Sequence, residues 1–354
     1  VGSTTTFVAL FTEFLIGVGC GINAITAKYY GAKDSENLNK TVSSAPILSL
    51  ASGCGVMLAG LIFARPLLAL LGTKPELVSG AELYLRIYFC GMPAMSMYNY
   101  GNAVLSAMGE TKKPLIFLTI AGIVNVILNL FFVIVCSLDV AGVAIASVIS
   151  QYISAALVLV YLLRSQGFYR IEISKKDLSK KNLRELTVLG LPTGVQNAIF
   201  QIANLFVQGG VNTFDTTVVS GVAAAQNADA LVYNPMQAYY TACSTFIGQN
   251  YGAMNKKRVR ESYFISLLYA FGFGLVLGLG VLLAGKGFLG IFTSSDAVAD
   301  AGMLRLKVMG VSYCVSAFVD ASIAASRGLG KSIVPTVRVT TPIRTRSNVQ
   351  KTHI

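Results

Sequence analysis

Residues 114–136 read PLIFLTIAGIVNVILNLFFVIVC, an apolar stretch without a single charge. As a helix rising 1.5 Å per residue it would be about 35 Å long. That suffices to cross the roughly 30 Å hydrocarbon core of a bilayer. Lys112 and Lys113 bound it on one side and Asp139 on the other. Eight further runs flank it, near residues 2–27, 41–71, 78–107, 140–163, 185–211, 218–248, 263–292 and 297–326. Together they predict about nine spanning helices and an all-α polytopic membrane protein.

Composition agrees. Of 354 residues, 54% are hydrophobic and 12% charged, and the mean hydropathy is +0.64. Soluble domains carry roughly 25% charged residues. Barrel strands of about 10 alternating residues are not seen. The net charge of +12 would suggest nucleic acid in a soluble protein. Here the positive charge sits in short loops between apolar runs, so the expected partner is the lipid bilayer and not nucleic acid. The six cysteines lie inside apolar runs without a C-x-x-C pair and read as free thiols.

The loops alternate in charge. One set carries Lys28, Lys33 and Lys40, then Lys112 and Lys113, the block from Arg164 to Arg184, Lys256 to Arg260, and finally Arg327 and Lys331. The intervening loops carry only Lys74. By the positive-inside rule the basic loops are cytoplasmic and Val1 lies outside. The expected location is a cell membrane of the bacterial inner-membrane kind, crossed many times by a monomer.

Tyr30-Gly31-Ala32 recurs as Tyr251-Gly252-Ala253, 221 residues on. At that offset Gly109 meets Gly330, Pro114 meets Pro335, and Arg86 meets Lys307. Both copies put their basic loops on the same side, so the repeat is parallel, as in transporters that handle substrate between halves. The chain divides into a first lobe, residues 1–163, a basic linker, 164–184, a second lobe, 185–335, and an anomalous polar tail, 336–354. Read this way, the run at 185–211 pairs with residues before Val1, and the register fails after Pro335. The expectation is a chain truncated at both ends, lacking one helix of the first lobe and two of the second.

Intramembrane carboxylates are costly and usually face a cavity or a partner. Three stand out: Glu13 in the first run, Asp229 in the seventh and Asp320 in the last. A buried carboxylate can bind Na⁺ or take up H⁺; it can equally pair with a neighbour. Asn197, Gln201, Asn204 and Gln208 follow at i, i+4, i+7 and i+11, one polar helical face that must look inward, either to line a water-filled cavity or to join helices. Asp229, Tyr233, Asn234 and Gln237 make a similar stripe. Aromatic rings beside carboxylates suit organic cations, although aromatics in ordinary core packing are commoner. Pro93 and Pro235 interrupt spanning runs and could kink them. Gly17, Gly19 and Gly21 read as close-packing sites. Gly330-Lys331-Ser332 resembles the end of a phosphate loop, but Ala325 stands where its first glycine belongs, which rejects nucleotide binding. The only histidine is His353, and no hydrolase or metalloprotease motif appears, so no enzyme, catalytic residue or cofactor is expected.

Several segments resemble the multidrug and toxic compound extrusion (MATE) family in colinear order. They are Ala27 to Asp34, Tyr84 to Phe89 with Gly91-Met92-Pro93, Gly109 to Pro114, Gly190-Leu191-Pro192, Gly248 to Ala253, and Arg327 to Gly330. The resemblance implies a MATE-like fold of two six-helix lobes and export of organic cations in exchange for Na⁺ or H⁺ by alternating access. It also implies a cation cluster at Asn125, Asn129 and Ser147, although Asn129 stands where that cluster usually has an acid. Asp320 corresponds to a carboxylate used for Na⁺ in another branch, and Asp229 sits where close relatives usually have Glu. Two alternatives compete: a non-functional truncated fragment, and a lipid-linked oligosaccharide flippase of the same superfamily. The flippase would want a cationic cavity, and Arg65, Arg86, Arg305 and Lys307 read as lying near helix ends.

Overall fold

The computed structural model describes residues 4–70, 75–165 and 178–332. Lys74, most of the basic linker, Pro335 and the polar tail lie outside the described residues, and with them the expectations made there. Ten α-helices follow in order: α1 (Thr5–Gly31), α2 (Ser35–Leu70), α3 (Pro75–Phe89), α4 (Met92–Ala107), α5 (Lys112–Leu130), α6 (Asp139–Arg164), α7 (Lys180–Val211), α8 (Thr216–Gly252), α9 (Lys256–Leu289) and α10 (Asp296–Gly328). A π-helical turn, Phe131–Val135, extends α5.

Nine runs thus become ten helices, because 78–107 is not one element. Pro93 has no N–H to give the Phe89 carbonyl, and the chain breaks just there. Cys90 and Gly91 close 3.0 Å turn bonds to Ile87 and Tyr88, and α4 restarts beyond them. Pro235 does not have this effect, and α8 runs through it unbroken.

Among the described residues, six helices (α1, α2, α5 with its π turn, α6, α9 and α10) are long and apolar enough to cross a membrane. The breaks and polar stripes keep α3, α4, α7 and α8 off that count. Lipid-facing surface is plain on α5 and α9: Ile134 is 69% exposed and Leu283 86%. Apolar surface of that extent suits hydrocarbon, not water.

Two cores form. One joins α1, α2, α4 and α6, with Tyr100 and Ile22 fully buried in it; a neighbouring cluster adds α3. The other joins α8, α9 and α10 around Met236 and Leu306. Helix α7 follows the linker, yet its first half packs into the first core through Leu186 and Leu189. Glycines set that contact: Gly17 lies against Gly194 and Gly21 against Gly190, with no room for a Cβ. Asn182 ties the start of α7 to α2, bonding the Asn37 carbonyl at 3.1 Å and Thr41 Oγ1 at 2.9 Å. All six cysteines are free.

The repeat is written into the backbone. Helix α1 ends with Lys33 at φ +55°, and α8 with Met254, 221 residues on, at φ +57°. Helices α4 and α10 end on Gly109 and Gly330, φ +87° and +76°. Positive φ at these helix ends lets the next N–H turn back to an otherwise unpaired carbonyl. The next caps match as well: Asp34 Oδ1 accepts from the Asn37 N–H at 3.0 Å, and Asn255 Oδ1 from the Arg258 N–H at 3.1 Å. Where the two copies cross, a Cβ on Gly31 would fall 1.9 Å from the Gln249 carbonyl oxygen. A Cβ on Gly252 would fall 1.9 Å from that of Lys28. Lys28 and Gln249 are themselves repeat equivalents, so the contact is reciprocal. It draws α1 and α8 together at the end bearing the basic loops.

Candidate substrate cavity

A cavity of about 710 Å³ opens between α1, α4, α7, α8 and α10. Its walls obey the repeat. Helix α1 contributes positions 13, 16, 19, 20 and 23, and α8 contributes 234, 237, 240, 241 and 244, with Tyr233 besides. Helix α4 contributes 99, 102, 103 and 106, and α10 contributes 320, 323, 324 and 327. Every one of these first-copy positions has its mate 221 residues on, as expected for a cavity on an axis between two copies.

Eight residues singled out from the sequence meet here: Glu13, Asn197, Gln201, Asn204, Tyr233, Asn234, Gln237 and Asp320. Glu13 and Asp320 face it from different helices. The Tyr233 hydroxyl donates to Asp320 Oδ2 at 3.5 Å, and its ring meets that of Tyr240 at 6.5 Å. Asn197 Nδ2 donates to Glu13 Oε2 at 3.4 Å.

Arg327 corrects the reading of the loops. Charge alternation assigns it to the basic loop after the last run, but it lines the cavity. It lies seven residues after Asp320, two turns along the same face of α10. Its Nη2 donates to Gln196 Oε1 and to Asn197 Oδ1, both at 2.9 Å. Asn23, Asn99 and Asn102 were missed too. Asn23 lies low between the copies, donating to the Ala103 carbonyl at 3.0 Å and accepting from Thr245 Oγ1 at 2.8 Å. The offset of 221 applied to Asp320 and Arg327 would have pointed to Asn99 and Ser106.

Five expected site residues lie elsewhere. Gln208 bonds Asn212 at 2.9 Å and Gln226 at 3.0 Å beyond the cavity. Asp229 has both carboxylate oxygens engaged, one by Arg305 and one by the Tyr313 hydroxyl. Arg305 is therefore an ion-pair partner inside the second bundle, not a helix-end charge. Asn125, Asn129 and Ser147 sit between α5 and α6: Asn129 donates to Asn125 at 3.0 Å and Asn125 to Ser150 at 3.2 Å, while Ser147 bonds the Val143 carbonyl. A cation at these neutral groups would find oxygens but no carboxylate. At Asp229 it would have to displace a guanidinium, so that site does not fit Na⁺ as it stands. Asp320, with a hydroxyl beside it and no direct ion pair among the described residues, fits better. Among those residues no three His, Cys, Asp or Glu side chains converge as a metal site.

The MatE family model matches residues 1–131 and 192–341. The chain belongs to the MatE family. This MatE chain is 30% identical over 258 residues to the probable multidrug resistance protein YpnP of Bacillus subtilis, covering 72% of this chain and 57% of that protein. It therefore spans less than two thirds of that relative's length. It is 21% identical to an FAD transporter of Shewanella oneidensis, covering 86% of this chain and 68% of that one. The fold matches a multidrug resistance MATE family transporter solved in an outward-facing conformation, with a TM-score of 0.88 at 22% identity, covering 95% and 76% of the two chains. The all-helical, MATE-like fold read from the sequence is the one observed.

Proposed function

We propose that this chain takes part in secondary active efflux of small organic cations, exchanged for Na⁺ or H⁺ by alternating access of its two lobes. One observation carries the reading: Glu13 and Asp320 line a cavity of about 710 Å³ beside the rings of Tyr233 and Tyr240. That volume lies within the usual range for small-molecule sites, about 300–1,000 Å³. Aromatic faces attract a bulky cation through the ring quadrupole, and carboxylates attract it through charge. The amides of Asn197, Gln201, Asn204, Asn234 and Gln237 supply adaptable polar contacts along the path. Asp320 is the coupling carboxylate, exchanging a small cation for the organic one. Asp229 could serve only if Arg305 left it, and the Asn125, Asn129 and Ser147 cluster is a secondary neutral site. The basic loops face the cytoplasm of a cell membrane.

The cavity's charge argues against an anionic cargo such as a flavin dinucleotide or a lipid pyrophosphate, because two carboxylates face a single guanidinium. A test is titration of the purified full chain in detergent with ethidium. Asp320→Asn is expected to weaken binding about tenfold, and Asp320→Asn with Glu13→Gln to weaken it further. Unchanged affinity in the double variant would overturn the reading. Uptake of the dye into vesicles under an imposed Na⁺ or pH gradient then distinguishes the coupling ion.

A further inference from the structure

We infer that Arg327 is a specificity-determining residue: a tethered positive charge that limits the cavity to singly charged cations. The inference rests on the cation reading above and adds the charge of the substrate class.

Three observations carry it. Among the described residues, the charged groups lining the cavity are Glu13, Asp320 and Arg327, and the rest of its wall is neutral. With these groups ionised, two negative charges and one positive leave a net charge of minus one. The guanidinium is also not cancelled by contact. Its Nη2 donates to two neutral amide oxygens, on Gln196 and Asn197, and Gln196 is fully buried. Among the described residues Arg327 makes no direct ion pair, and its Nε, shielded from solvent, has no hydrogen-bond partner. It shares the cavity wall with both Glu13 and Asp320. Arg305 is the contrast: it pairs directly with Asp229 and adds no net charge to its surroundings.

The third observation is the repeat. Ser106 occupies the place of Arg327 in the first copy and also lines the cavity. The shared fold therefore does not require a guanidinium at this place. Arg327 also cannot retract easily, since the two amides hold it while Asn197 reaches on to Glu13. An entering cation meets two carboxylates and one fixed cation. A single positive charge neutralises the cavity, whereas a second would meet Arg327 with no carboxylate left to offset it.

Ethidium and propidium share a phenanthridinium ring but carry one and two fixed charges. Both dyes absorb visible light, where the chain's tyrosines do not, so their fluorescence can be read without protein emission. Both dyes are titrated into the purified full chain at alkaline pH, which keeps the carboxylates ionised. Wild type is expected to prefer ethidium. Arg327→Gln is expected to shift the propidium-to-ethidium affinity ratio toward propidium by about tenfold or more. Arg327→Lys, which keeps the charge and loses the planar fork, is expected to retain the wild-type ratio. A ratio cancels any general loss of folded protein. Ser106→Arg tests the inference from the other copy without touching Arg327: a second tethered cation is expected to weaken ethidium about tenfold.

Equal effects of Arg327→Gln on both dyes would overturn the inference, as would Arg327→Lys behaving like Arg327→Gln. Ethidium binding unaffected by Ser106→Arg would do the same. If wild type binds neither dye, the cation reading itself falls and this inference with it. If it binds ethidium and only the ratio fails to move, the cation reading stands alone.

Discussion

Helix α4 and helix α10 end on matching positive-φ glycines and line the same cavity at matching positions, yet they carry different chemistry. Where α4 brings Asn99 and Ser106, α10 brings Asp320 and Arg327. Elsewhere the copies agree closely: the turn after α1 repeats after α8, cap for cap, and the glycine contact between them is reciprocal. Two kinds of constraint are thus separated. Backbone geometry has to be met twice, because each copy must fold and both must meet at the crossing. Charge has to be supplied once, because both copies face a single cavity.

The largest test of the geometric half lies at the crossing. Gly31→Val and Gly252→Val should each destabilise the protein by about 3 kcal/mol, measured by thermal unfolding in detergent. The two losses should be similar, since each side chain would strike a backbone carbonyl oxygen of the other copy. Damage from only one of them would break the equivalence.

A smaller effect separates the caps. Asp34→Ala and Asn255→Ala should each cost about 1 kcal/mol, read from chemical denaturation. Acid should tell them apart. The Asn37 side-chain amide and backbone N–H both donate to Asp34 and hold its carboxyl below the usual value. A lowered pKa in the folded state means stabilisation that is present above the ordinary carboxylate value and lost as pH falls through the lowered one. Asn255 does not titrate. Amide-exchange protection at Asn37 should fall in acid while that at Arg258 stays, and parallel loss at both would refute the distinction.

The smallest effect concerns surface charge. Glu36–Lys40 on α2 and Lys257–Glu261 on α9 are i, i+4 pairs at equivalent positions with the order of charge reversed. Glutamate nearer the helix N-terminus is the favourable order, by a few tenths of a kcal/mol. Glu36→Gln should cost about 0.3 kcal/mol and Lys257→Gln nearly nothing. Equal costs in denaturant titrations would remove that asymmetry.

Much of this was legible in the sequence because the bilayer imposes a coarse rule, about 20 apolar residues per crossing. The stripe Asn197, Gln201, Asn204 pointed inward for the same reason. What stayed hidden depended on partners distant in sequence. Pro93 and Pro235 look alike as letters, yet only the first breaks its helix. Asp229 could be recognised as an intramembrane acid, but its partner Arg305 is 76 residues away on another helix. Arg327 stands one residue before the end of α10, where charge alternation assigns it to a loop. Its long side chain reaches back to α7 instead, a direction that loop counting cannot register. Gln208 continues the stripe's spacing but lies one turn too far along α7 to reach the cavity.

If the lobes rock as proposed, the reciprocal glycine contact would be their fulcrum. It lies in the last turn of α1, a helix of 27 residues, so the arm above it is about 40 Å long. A tilt of about 10° at the crossing would carry the far end some 7 Å sideways, taking that arm as rigid. Side chains larger than glycine would hold the two helices apart and move the pivot off the backbone. Two hydrogen atoms, one on Gly31 and one on Gly252, let the halves bear on each other backbone to backbone, so that a small angle at one face would become a wide displacement at the other.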